Sequence, residues 1–254
     1  MRFAMLGSGS RGNATLVENG KTRILLDCGF SVTETVKRLQ RLGVEGESLS
    51  AIVVTHEHSD HAKGVGTLAR KFNLPIYVTH GTFQKVNWGE VPAVHEIDSH
   101  YAFDIDDLRC EPFPVPHDAR EPVQFVFNSG KHRLGVLTDT GSQTLHIINM
   151  LDGCDALILE CNHDADMLAE GPYPASLKER VGGRLGHLNN EQAAGILDDM
   201  DSSSLQYLVA AHLSDKNNTE YLAREALTGT LGCDDKDIFV ACQENGLDWC
   251  QLSA

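Results

Sequence analysis

The chain has 254 residues, 41% of them hydrophobic, which is enough to bury the core of an α/β unit of ordinary size. Its 36 acidic and 21 basic residues give a formal charge of −15. This charge argues against a protein that coats nucleic acid or an anionic membrane through a basic face. A nuclease is not excluded, because bound divalent cations offset local carboxylates.

The cysteines indicate a reducing compartment, and the apolar segments bear on membrane spans and signal peptides. The cysteines are Cys28, Cys110, Cys154, Cys161, Cys233, Cys242 and Cys250. Their number is odd and none form a C-x-x-C pair, so we expect buried free thiols rather than disulfides or a cysteine-rich zinc site. The first residues lack the apolar run of a signal peptide, and no stretch approaches 18 apolar residues. We therefore expect a cytoplasmic protein with no membrane span.

Short β-branched runs and helical patterns follow one another along the chain. Strands are expected at residues 22–27, 51–55, 75–79, 123–127, 134–138, 156–160, 207–211 and 237–241. Helices are expected around 32–39, with Gly43 as C-cap, around 65–72, and after Asn189, which with Gln192 resembles a capping box. Strands come first in each half, followed by mixed strands and helices. This order, without repeat or linker, predicts an α/β fold in a single domain over residues 1–254.

A glycine-rich segment near the N-terminus imitates a nucleotide site. Residues 7–12 match G-x-G-x-x-G, and Asp27 lies 20 residues beyond Gly7. That fingerprint requires a helix directly after the glycines. Here an extended run follows, then Asn19-Gly20 and a second extended run, which is a strong hairpin signal. We therefore expect a tight loop between strands, not a dinucleotide site.

Four potential metal ligands directly follow the strand expected at 51–55. They are His56, His58, Asp60 and His61. In an extended segment the side chains of His56 and His58 point to the same side, and Asp60 and His61 approach that cavity from a helix beginning near Ser59. Imidazoles and a carboxylate clustered in this way suit Zn²⁺, Mn²⁺ or Fe. The sequence therefore predicts a metal site at the carboxyl end of this strand.

The H-x-H-x-D-H pattern resembles that of the metallo-β-lactamase superfamily, and the likeness extends over the whole chain. The resemblance implies an αββα sandwich, with two mixed sheets flanked by helices, and a dinuclear metal-dependent hydrolase. The ligands it implies are His56, His58 and His117 for the first metal and Asp60, His61 and His212 for the second, with Asp139 bridging the two. Asp27 would be the buried acid that orients the metal loop, residues 55–61. Asp118 and His132 leave the local assignment of His117 open.

Such a site is typical of enzymes that catalyse hydrolysis. Two metals about 3.5–4 Å apart can hold a bridging hydroxide and neutralise charge that develops on a carbonyl or phosphoryl oxygen. Asp60 would also orient the water nucleophile. A carboxylate at position 139, where zinc β-lactamases often carry cysteine, favours a phosphoesterase or nuclease over antibiotic hydrolysis.

A second pair of residues resembles the leaving-group machinery of tRNA-processing relatives of this fold. Glu160 follows an expected strand, and His187 precedes the helix expected after Asn189. In those relatives a glutamate orients a histidine that donates a proton to the leaving oxygen. By that resemblance His187 is the general acid and Glu160 is its partner. The alternative is a histidine that only bonds backbone groups before a helix.

Candidate substrate contacts lie in a basic, proline-rich insertion and in nearby loops. They are His163, Lys178, Arg180, Arg184 and Lys216. The cations of the insertion are placed to contact phosphates, although a surface helix with ordinary salt pairs explains them nearly as well. His163 either contacts substrate or stabilises its own loop.

Within the superfamily the chain resembles the YycJ/WalJ type, near the phosphonate-pathway phosphodiesterases. The resemblance is carried by residues 7–13, 55–61, 162–164, 171–178, 186–188 and 212–218. It implies a cytoplasmic 5′ exonuclease that acts on DNA in repair. Three alternatives stay open: a phosphodiesterase for small molecules such as cyclic nucleotides, which the acidic charge suits better, a thioester or lactam hydrolase, and a non-enzymatic metal-binding regulator. The sequence leaves Zn, Mn and Fe all open as the metal, and it leaves homo-oligomerisation open.

Overall fold

The computed structural model describes residues 1–231 and 237–253, and this part of the chain forms two seven-stranded sheets. The strands are β1 Arg2–Gly7, β2 Ala14–Asn19, β3 Thr22–Leu26, β4 Ala51–Val53, β5 Pro75–Thr79, β6 Ala93–Ile97, β7 Phe103–Ile105, β8 Leu108–Pro114, β9 Val123–Asn128, β10 Arg133–Leu137, β11 Ala156–Glu160, β12 Tyr207–Ala211, β13 Ile238–Val240 and β14 Leu247–Gln251. The first sheet has the order β14-β1-β2-β3-β4-β5-β6 and the second β13-β12-β11-β10-β9-β8-β7.

Helices connect many of these strands. They are α1 Val32–Arg41, α2 Ser59–Ala62, α3 Val65–Phe72, α4 His80–Lys85, α5 Leu145–Leu151, α6 Ala165–Glu170, α7 Ala175–Val181, α8 Asn190–Asp199 and α9 Glu220–Leu231, with a 3₁₀ turn at Gly46–Ser48. The capping box of α8 is confirmed, because the Asn189 side chain accepts from the Gln192 backbone and the Gln192 side chain accepts from the Asn189 backbone. Gly43 follows α1 with φ +70°, as expected of a glycine at a helix end.

Both sheets repeat the same topology. In the first, β1, β2 and β3 are antiparallel, and β3 to β6 are parallel. In the second, β7 to β10 are antiparallel, and β10 to β13 are parallel. This is the predicted order of strands first and then mixed strand and helix in each half. Parallel neighbours require crossovers, and the helices between the later strands supply them.

Three apolar layers show how the sheets and helices pack. Ile24 and Leu26 of β3 face a core shared with Ala156 and Ile158 of the second sheet, whereas Leu25 faces a separate core with α1 and α3. Leu157 and Leu159 of β11 likewise pack against α5, α8 and α9. Because side chains alternate across a strand, each sheet buries one face on the other sheet and one on helices. The predicted αββα sandwich is confirmed.

Strand ends differ from the sequence prediction where the chain leaves a sheet for the loops that carry the candidate ligands. The strands at 75–79, 156–160 and 207–211 have the predicted bounds. The strands predicted to end at Asp27, Thr55 and Thr138 end one or two residues earlier. Thr55 turns its backbone N–H to the Asp27 carboxylate, and Thr138 uses its carbonyl to accept from the Gln124 side chain. Hydrogen bonds from side chains thus replace the sheet ladder at these ends.

The glycine-rich segment forms a loop between antiparallel strands, as predicted. β1 ends at Gly7 and β2 begins at Ala14, and β2 and β3 form a hairpin closed by Asn19 opposite Thr22. The resolved thiols Cys28, Cys110, Cys154, Cys161 and Cys250 are free and buried, and Cys242 is free and partly buried. Cys233 lies outside the described residues. Within residues 1–231 and 237–253, every helix is too short or too polar to cross a membrane.

Candidate metal centre

The candidate ligands meet at one edge of the sandwich, beyond the carboxyl ends of parallel strands. Asp27 follows β3, the segment 55–61 follows β4, Asp139 follows β10 and His212 follows β12. Crevices of this kind are the usual binding sites of α/β folds. Residues that are distant in sequence therefore converge because their strands are neighbours in two facing sheets.

The first cluster consists of three histidines. The ring centroids of His56 and His58 are 4.6 Å apart, and those of His56 and His117 are 4.9 Å apart. His117 Nδ1 donates to the Gly186 carbonyl at 3.1 Å, so its Nε2 keeps a lone pair, 3.2 Å from His58 Nδ1. The potential ligand atoms of all three lie within 4.8 Å of one another.

The second cluster joins two histidines and two carboxylates. His61 Nε2 lies 3.0 Å from Asp139 Oδ2 and 3.6 Å from Asp60 Oδ2, and His212 Nε2 lies 3.6 Å from Asp60 Oδ2. His61 Nδ1 donates to Asp27 at 2.7 Å, and His212 Nδ1 donates to Glu160 at 2.9 Å. In the neutral ring, each bond places the proton on Nδ1 and directs the Nε2 lone pair at the cluster, as outer carboxylates do for metal-binding histidines.

Several buried atoms of these clusters have no hydrogen-bond partner. They are His56 Nε2, Asp139 Oδ2 and His212 Nε2. Buried polar atoms are nearly always paired, since leaving one unpaired is costly. Cations bound at the two clusters would satisfy all three atoms, and a mixed imidazole and carboxylate set suits Zn²⁺, Mn²⁺ or Fe. The residues therefore fit divalent ions, while the number of two ions, which the resemblance implies, and a bridging role for Asp139 stay predictions.

Electrostatics within the second cluster follow from its crowded charges. Burial raises the pKa of Asp139, but His212 and His61 outweigh it and hold that pKa well below the usual range. Burial lowers the pKa of His212, but the surrounding carboxylates of Asp139, Asp60 and Glu160 outweigh burial and raise the pKa to about 10. Burial places the pKa of His56 well below its ordinary value. Acidic and basic groups thus stabilise each other in a largely dehydrated site.

Backbone strain is concentrated at this centre. Among the described non-glycine residues, positive φ angles occur at five positions, and three of these are Asp27, Asp139 and His212. Such conformations cost on the order of 1–3 kcal/mol each and persist where surrounding contacts enforce them. Asp27 is held by Thr55 N, Thr55 Oγ1 and His61 Nδ1 at 2.7–2.9 Å. These bonds join Asp27 to both ends of the segment 55–61, and its role as the acid that orients this segment stays a prediction.

Three further residues shape the centre and were given no role from the sequence. The Asn13 N–H donates to the Asp60 carbonyl at 2.7 Å, and its amide nitrogen lies 3.0 Å from His61 Nε2. The His212 N–H donates to Ser8 Oγ at 2.7 Å. A Cβ on Gly29 would lie 1.7 Å from the Asp60 carbonyl. The glycine-rich loop that imitated a nucleotide site thus supports the candidate metal ligands through Ser8 and Asn13.

Glu160 is fully buried and connects the centre to His187. Its Oε1 accepts from His187 Nδ1 at 2.8 Å and from His212 Nδ1 at 2.9 Å, and its Oε2 accepts from the Thr140 and Leu188 backbones. Burial raises the pKa of Glu160, but His187 and the bonds from both histidines outweigh it and lower the pKa to about 2. Both carboxylate oxygens are therefore occupied by donors, which favours an orienting role over metal ligation.

A cleft of about 320 Å³ opens onto the two clusters. Its lining residues are Ser10, His58, Ser59, Asp60, Asp139, Asn162, Tyr173, Arg180, Val181, His187, His212, Leu213 and Ser214. Burial lowers the pKa of His187, but Glu160 outweighs it and raises that pKa above the ordinary value. His187 is 21% exposed in its side chain, so its ring is accessible from the cleft while Nδ1 is held by Glu160.

The candidate substrate contacts differ in their position relative to the cleft and in their burial. Arg180 lines the cleft and bonds Asp118 at 2.6 Å, and Arg184 lies beside it in an adjoining depression. Lys178 Nζ donates to the Ala169 carbonyl at 2.5 Å. His163 is 3% exposed and forms a β-bridge with Asn189, and burial lowers its pKa to about 4.

The local alternatives for His117 differ in position. His132 Nδ1 lies 3.7 Å from Asp155, at the start of β10 and away from the clusters. Asp118 is close, with Oδ1 3.6 Å from His117 Nε2 and 3.9 Å from His58 Nε2. His117 is thus the histidine that joins the first cluster, and Asp118 flanks it.

Comparisons with known proteins agree with this geometry. The profile of the Beta-lactamase superfamily domain matches residues 22–212. The chain is 35% identical to the exodeoxyribonuclease YycJ of Bacillus anthracis, covering 91% of this chain and 89% of the relative. It is 32% identical to the exodeoxyribonuclease WalJ of Streptococcus pneumoniae, covering 91% and 88%. The crystal structure of the metallo-β-lactamase fold protein YhfI from Bacillus subtilis superposes with a TM-score of 0.75 at 19% identity, covering 98% and 99%. The chain therefore belongs to the metallo-β-lactamase superfamily and, within it, to the YycJ/WalJ type.

Proposed function

We propose that this protein is a metal-dependent exodeoxyribonuclease that hydrolyses phosphodiester bonds from the 5′ end of DNA. The observation that carries the proposal is the His187–Glu160 pair, because the His187 ring lines the same cleft as members of both ligand clusters while buried Glu160 holds its Nδ1. The relatives named exodeoxyribonuclease, of which this chain covers 88–89%, support DNA as the substrate class.

The pair suits a reaction with a poor leaving group. A phosphodiester releases an alkoxide, which needs a proton in the transition state, whereas a thiolate needs none. His187 donates Nδ1–H to Glu160, so the protonated ring holds its second proton on Nε2, available to the cleft. Glu160 keeps the ring oriented and favours its charged form. His187 is therefore the general acid.

The remaining site residues bind the cofactors and orient the nucleophile. Two divalent ions, when bound, supply positive charge against the phosphoryl oxygens and activate water. His56, His58 and His117 would hold one ion, and Asp60, His61 and His212 the other, with Asp139 between them. The Asp60 carboxylate lines the cleft, where it would accept a hydrogen bond from the attacking water.

The acidic surface sets a condition on how DNA binds. With a charge of −15, the protein gains little from long-range attraction to phosphates. Binding must rest on contacts within the cleft, where the ions and Arg180 offset the carboxylates. An enzyme that engages a chain end through few nucleotides meets this condition.

Digestion of a linear duplex with a 5′-phosphate tests the proposal. Substrates labelled at the 5′ or the 3′ end are incubated in Mn²⁺, Zn²⁺ or Fe²⁺, with Asp60→Ala as the control for contaminating nuclease. We expect the wild type alone to release mononucleotides at once from the 5′ label and to shorten the 3′-labelled strand stepwise. The metal that supports the fastest digestion identifies the preferred cofactor.

Parallel substrates distinguish the alternatives. An RNA of the same sequence tests the choice of nucleic acid, and cyclic nucleotides test a small phosphodiester. Turnover of cyclic nucleotides without release from DNA in any metal would replace the proposal with a small-molecule phosphodiesterase. Turnover of a thioester or lactam alone would remove phosphodiester chemistry altogether.

A further inference from the structure

The segment between β11 and α8 contributes more than His187 to the cleft. It contains α6 and α7, and it also places Tyr173 and Arg180 in the cleft lining. Its final turn is bonded to the loop that carries His117 and Asp118. The Gly186 carbonyl accepts from His117 Nδ1 at 3.1 Å, and the Asp118 N–H donates to the Leu185 carbonyl at 3.0 Å. Side chains of this segment therefore have defined positions relative to the ligands.

Tyr173 presents an aromatic ring on the side of the second cluster. It lies between Pro172 and Pro174, and Pro174 is the N-cap of α7, so the backbone around the ring is restricted. Lys216 Nζ lies 5.8 Å from the centre of the ring, and Lys216 belongs to the loop that begins at His212. A half-buried ring with a cation beside it, open to a cleft, is a platform for a flat aromatic group.

Arg180 presents a cation on the side of the first cluster. Its Nε donates to Asp118 Oδ2 at 2.6 Å, while Asp118 Oδ1 faces His117 and His58 at 3.6 and 3.9 Å. One carboxylate group therefore separates the guanidinium from the first cluster. The Arg180 side chain is 61% exposed, so its outer N–H groups can reach a phosphate in the cleft.

Both side chains thus line the cleft that opens onto the candidate metal ligands. A substrate that binds in this cleft would meet a cation at Arg180 and an aromatic ring at Tyr173, which suits a molecule that carries both anionic and flat aromatic groups. A nucleotide strand has this arrangement of phosphates and bases, whereas a simple phosphodiester lacks the base.

Resting on the proposed nuclease function, we propose that residues 173–180 form a nucleotide-recognition platform, in which Tyr173 stacks on a base beside the scissile phosphate and Arg180 binds a neighbouring phosphate. Stacking tolerates every base, because each has a π face. The platform therefore recognises nucleic acid without selecting a sequence. It also compensates for the unfavourable net charge through short-range contacts.

A double-mutant cycle, with one change in the protein and the other in the substrate, tests the stacking. The substrates are short 5′-phosphorylated oligodeoxynucleotides, either intact or with one abasic tetrahydrofuran residue at the first, second or third position. We expect one abasic position to lower kcat/KM of the wild type by about 5- to 100-fold, mainly through KM. Tyr173→Ala should show the same loss on intact DNA and no further loss at that abasic position, and Tyr173→Phe should act as the wild type.

Matched controls and a second substrate property complete the test. Tyr101, 73% exposed and outside the cleft lining, supplies Tyr101→Ala as a control with normal kinetics. Arg180→Ala should reduce the slope of log(kcat/KM) against log salt by about 1, the value for one phosphate contact. Arg109→Ala should leave the slope unchanged, because Arg109 pairs with Asp104 away from the cleft.

The outcomes separate the platform from the nuclease function. Absence of DNA cleavage by the wild type would overturn the proposed function itself. Cleavage of intact and abasic DNA at equal rates, or independent losses from Tyr173→Ala and the abasic residue, would overturn the platform and leave the nuclease intact. Tyr173→Leu, which has bulk but no π face, replaces Tyr173→Ala if that variant does not fold.

Discussion

His187 and His212 share one carboxylate oxygen, since Nδ1 of each lies within 2.9 Å of Glu160 Oε1. The candidate general acid and a candidate metal ligand are therefore oriented by a single buried atom. The shared atom would couple proton donation by His187 to the position of an ion held at the second cluster. A change at Glu160 should affect both functions, and a change at His187 should affect only one.

Glu160→Gln tests this coupling. The amide keeps the shape of the side chain but removes the negative charge, and one of its two ends becomes a donor that faces donors. We expect about 10- to 100-fold weaker binding of the second metal together with slower hydrolysis. Titration with metal, followed by calorimetry, measures the first effect. Unchanged affinity with a slow rate would confine Glu160 to the general acid.

His187→Ala should retain both metals but slow hydrolysis of DNA by roughly 10²–10⁴, the usual contribution of a general acid. Metal content and single-turnover rates are measured on the same preparation. His80→Ala is a matched control, because His80 also pairs with a glutamate, Glu96 at 2.7 Å, but is exposed outside the cleft. A rate equal to that of the wild type would return His187 to a structural role.

Asp60→Ala should lose the second metal and activity together. Asp60 Oδ2 lies 3.6 Å from both His61 Nε2 and His212 Nε2, so it completes the second cluster. Added metal should raise Tm of the wild type, because an ion that binds only the folded state stabilises it by mass action. The variant should show a smaller rise and one metal fewer per chain. Two bound metals with normal turnover would contradict the assignment of Asp60.

Glu18 gives a pH dependence of stability away from the metal site. Burial raises its pKa, but hydrogen bonds from Arg2 and Arg23 outweigh burial and lower the pKa. A lowered folded-state pKa contributes stability above the unfolded value of about 4.3, and this is lost as pH falls through the folded value. Glu18→Gln should therefore lower the free energy of unfolding by on the order of 1–3 kcal/mol at neutral pH. Urea unfolding should show the difference from wild type shrinking below about pH 4; a constant difference would contradict it.

The sequence predicted the parts of this site that depend on local order. The segment 55–61 carries four candidate ligands within seven residues, and the strand before it has a clear apolar pattern. The partners of those ligands lie far away in sequence: Asn13 contacts Asp60 across 47 positions, and Ser8 contacts His212 across 204. Such contacts follow from which strands become neighbours. No local spacing encodes that order, so the supporting residues were visible only in the structure.

The glycine-rich segment also shows that a sequence pattern predicts local structure but not tertiary contacts. Its spacing was correctly separated from a nucleotide fingerprint, because the next element is a strand. Its contact with the candidate ligands is made by Asn13, whose N–H donates to the Asp60 carbonyl in the loop after β4. This contact is visible only in the tertiary structure. A motif therefore predicted the local loop, while the tertiary fold determined its use.

Gly29→Ala tests how closely the backbone approaches the metal loop. A Cβ on Gly29 would lie 1.7 Å from the Asp60 carbonyl and 2.9 Å from the Asn13 nitrogen, so the loop must move to accept it. Because Gly29 does not have a positive φ, any loss comes from this collision and not from backbone strain. We expect weaker binding of the second metal and at least a tenfold loss of activity, since misplacement by about 1 Å costs on the order of 100-fold.

Gly195→Ala is the matched substitution for Gly29→Ala. Gly195 lies within α8, and the nearest atom to its added Cβ is Gln143 Oε1 at 3.8 Å, which is ordinary contact. Alanine in a helix interior should stabilise the fold by about 0.5–1 kcal/mol and leave activity unchanged. Metal titration and thermal unfolding of the two variants measure these effects. If Gly29→Ala binds both metals as tightly as Gly195→Ala, the close packing of residue 29 on Asp60 does not control the position of the ligand.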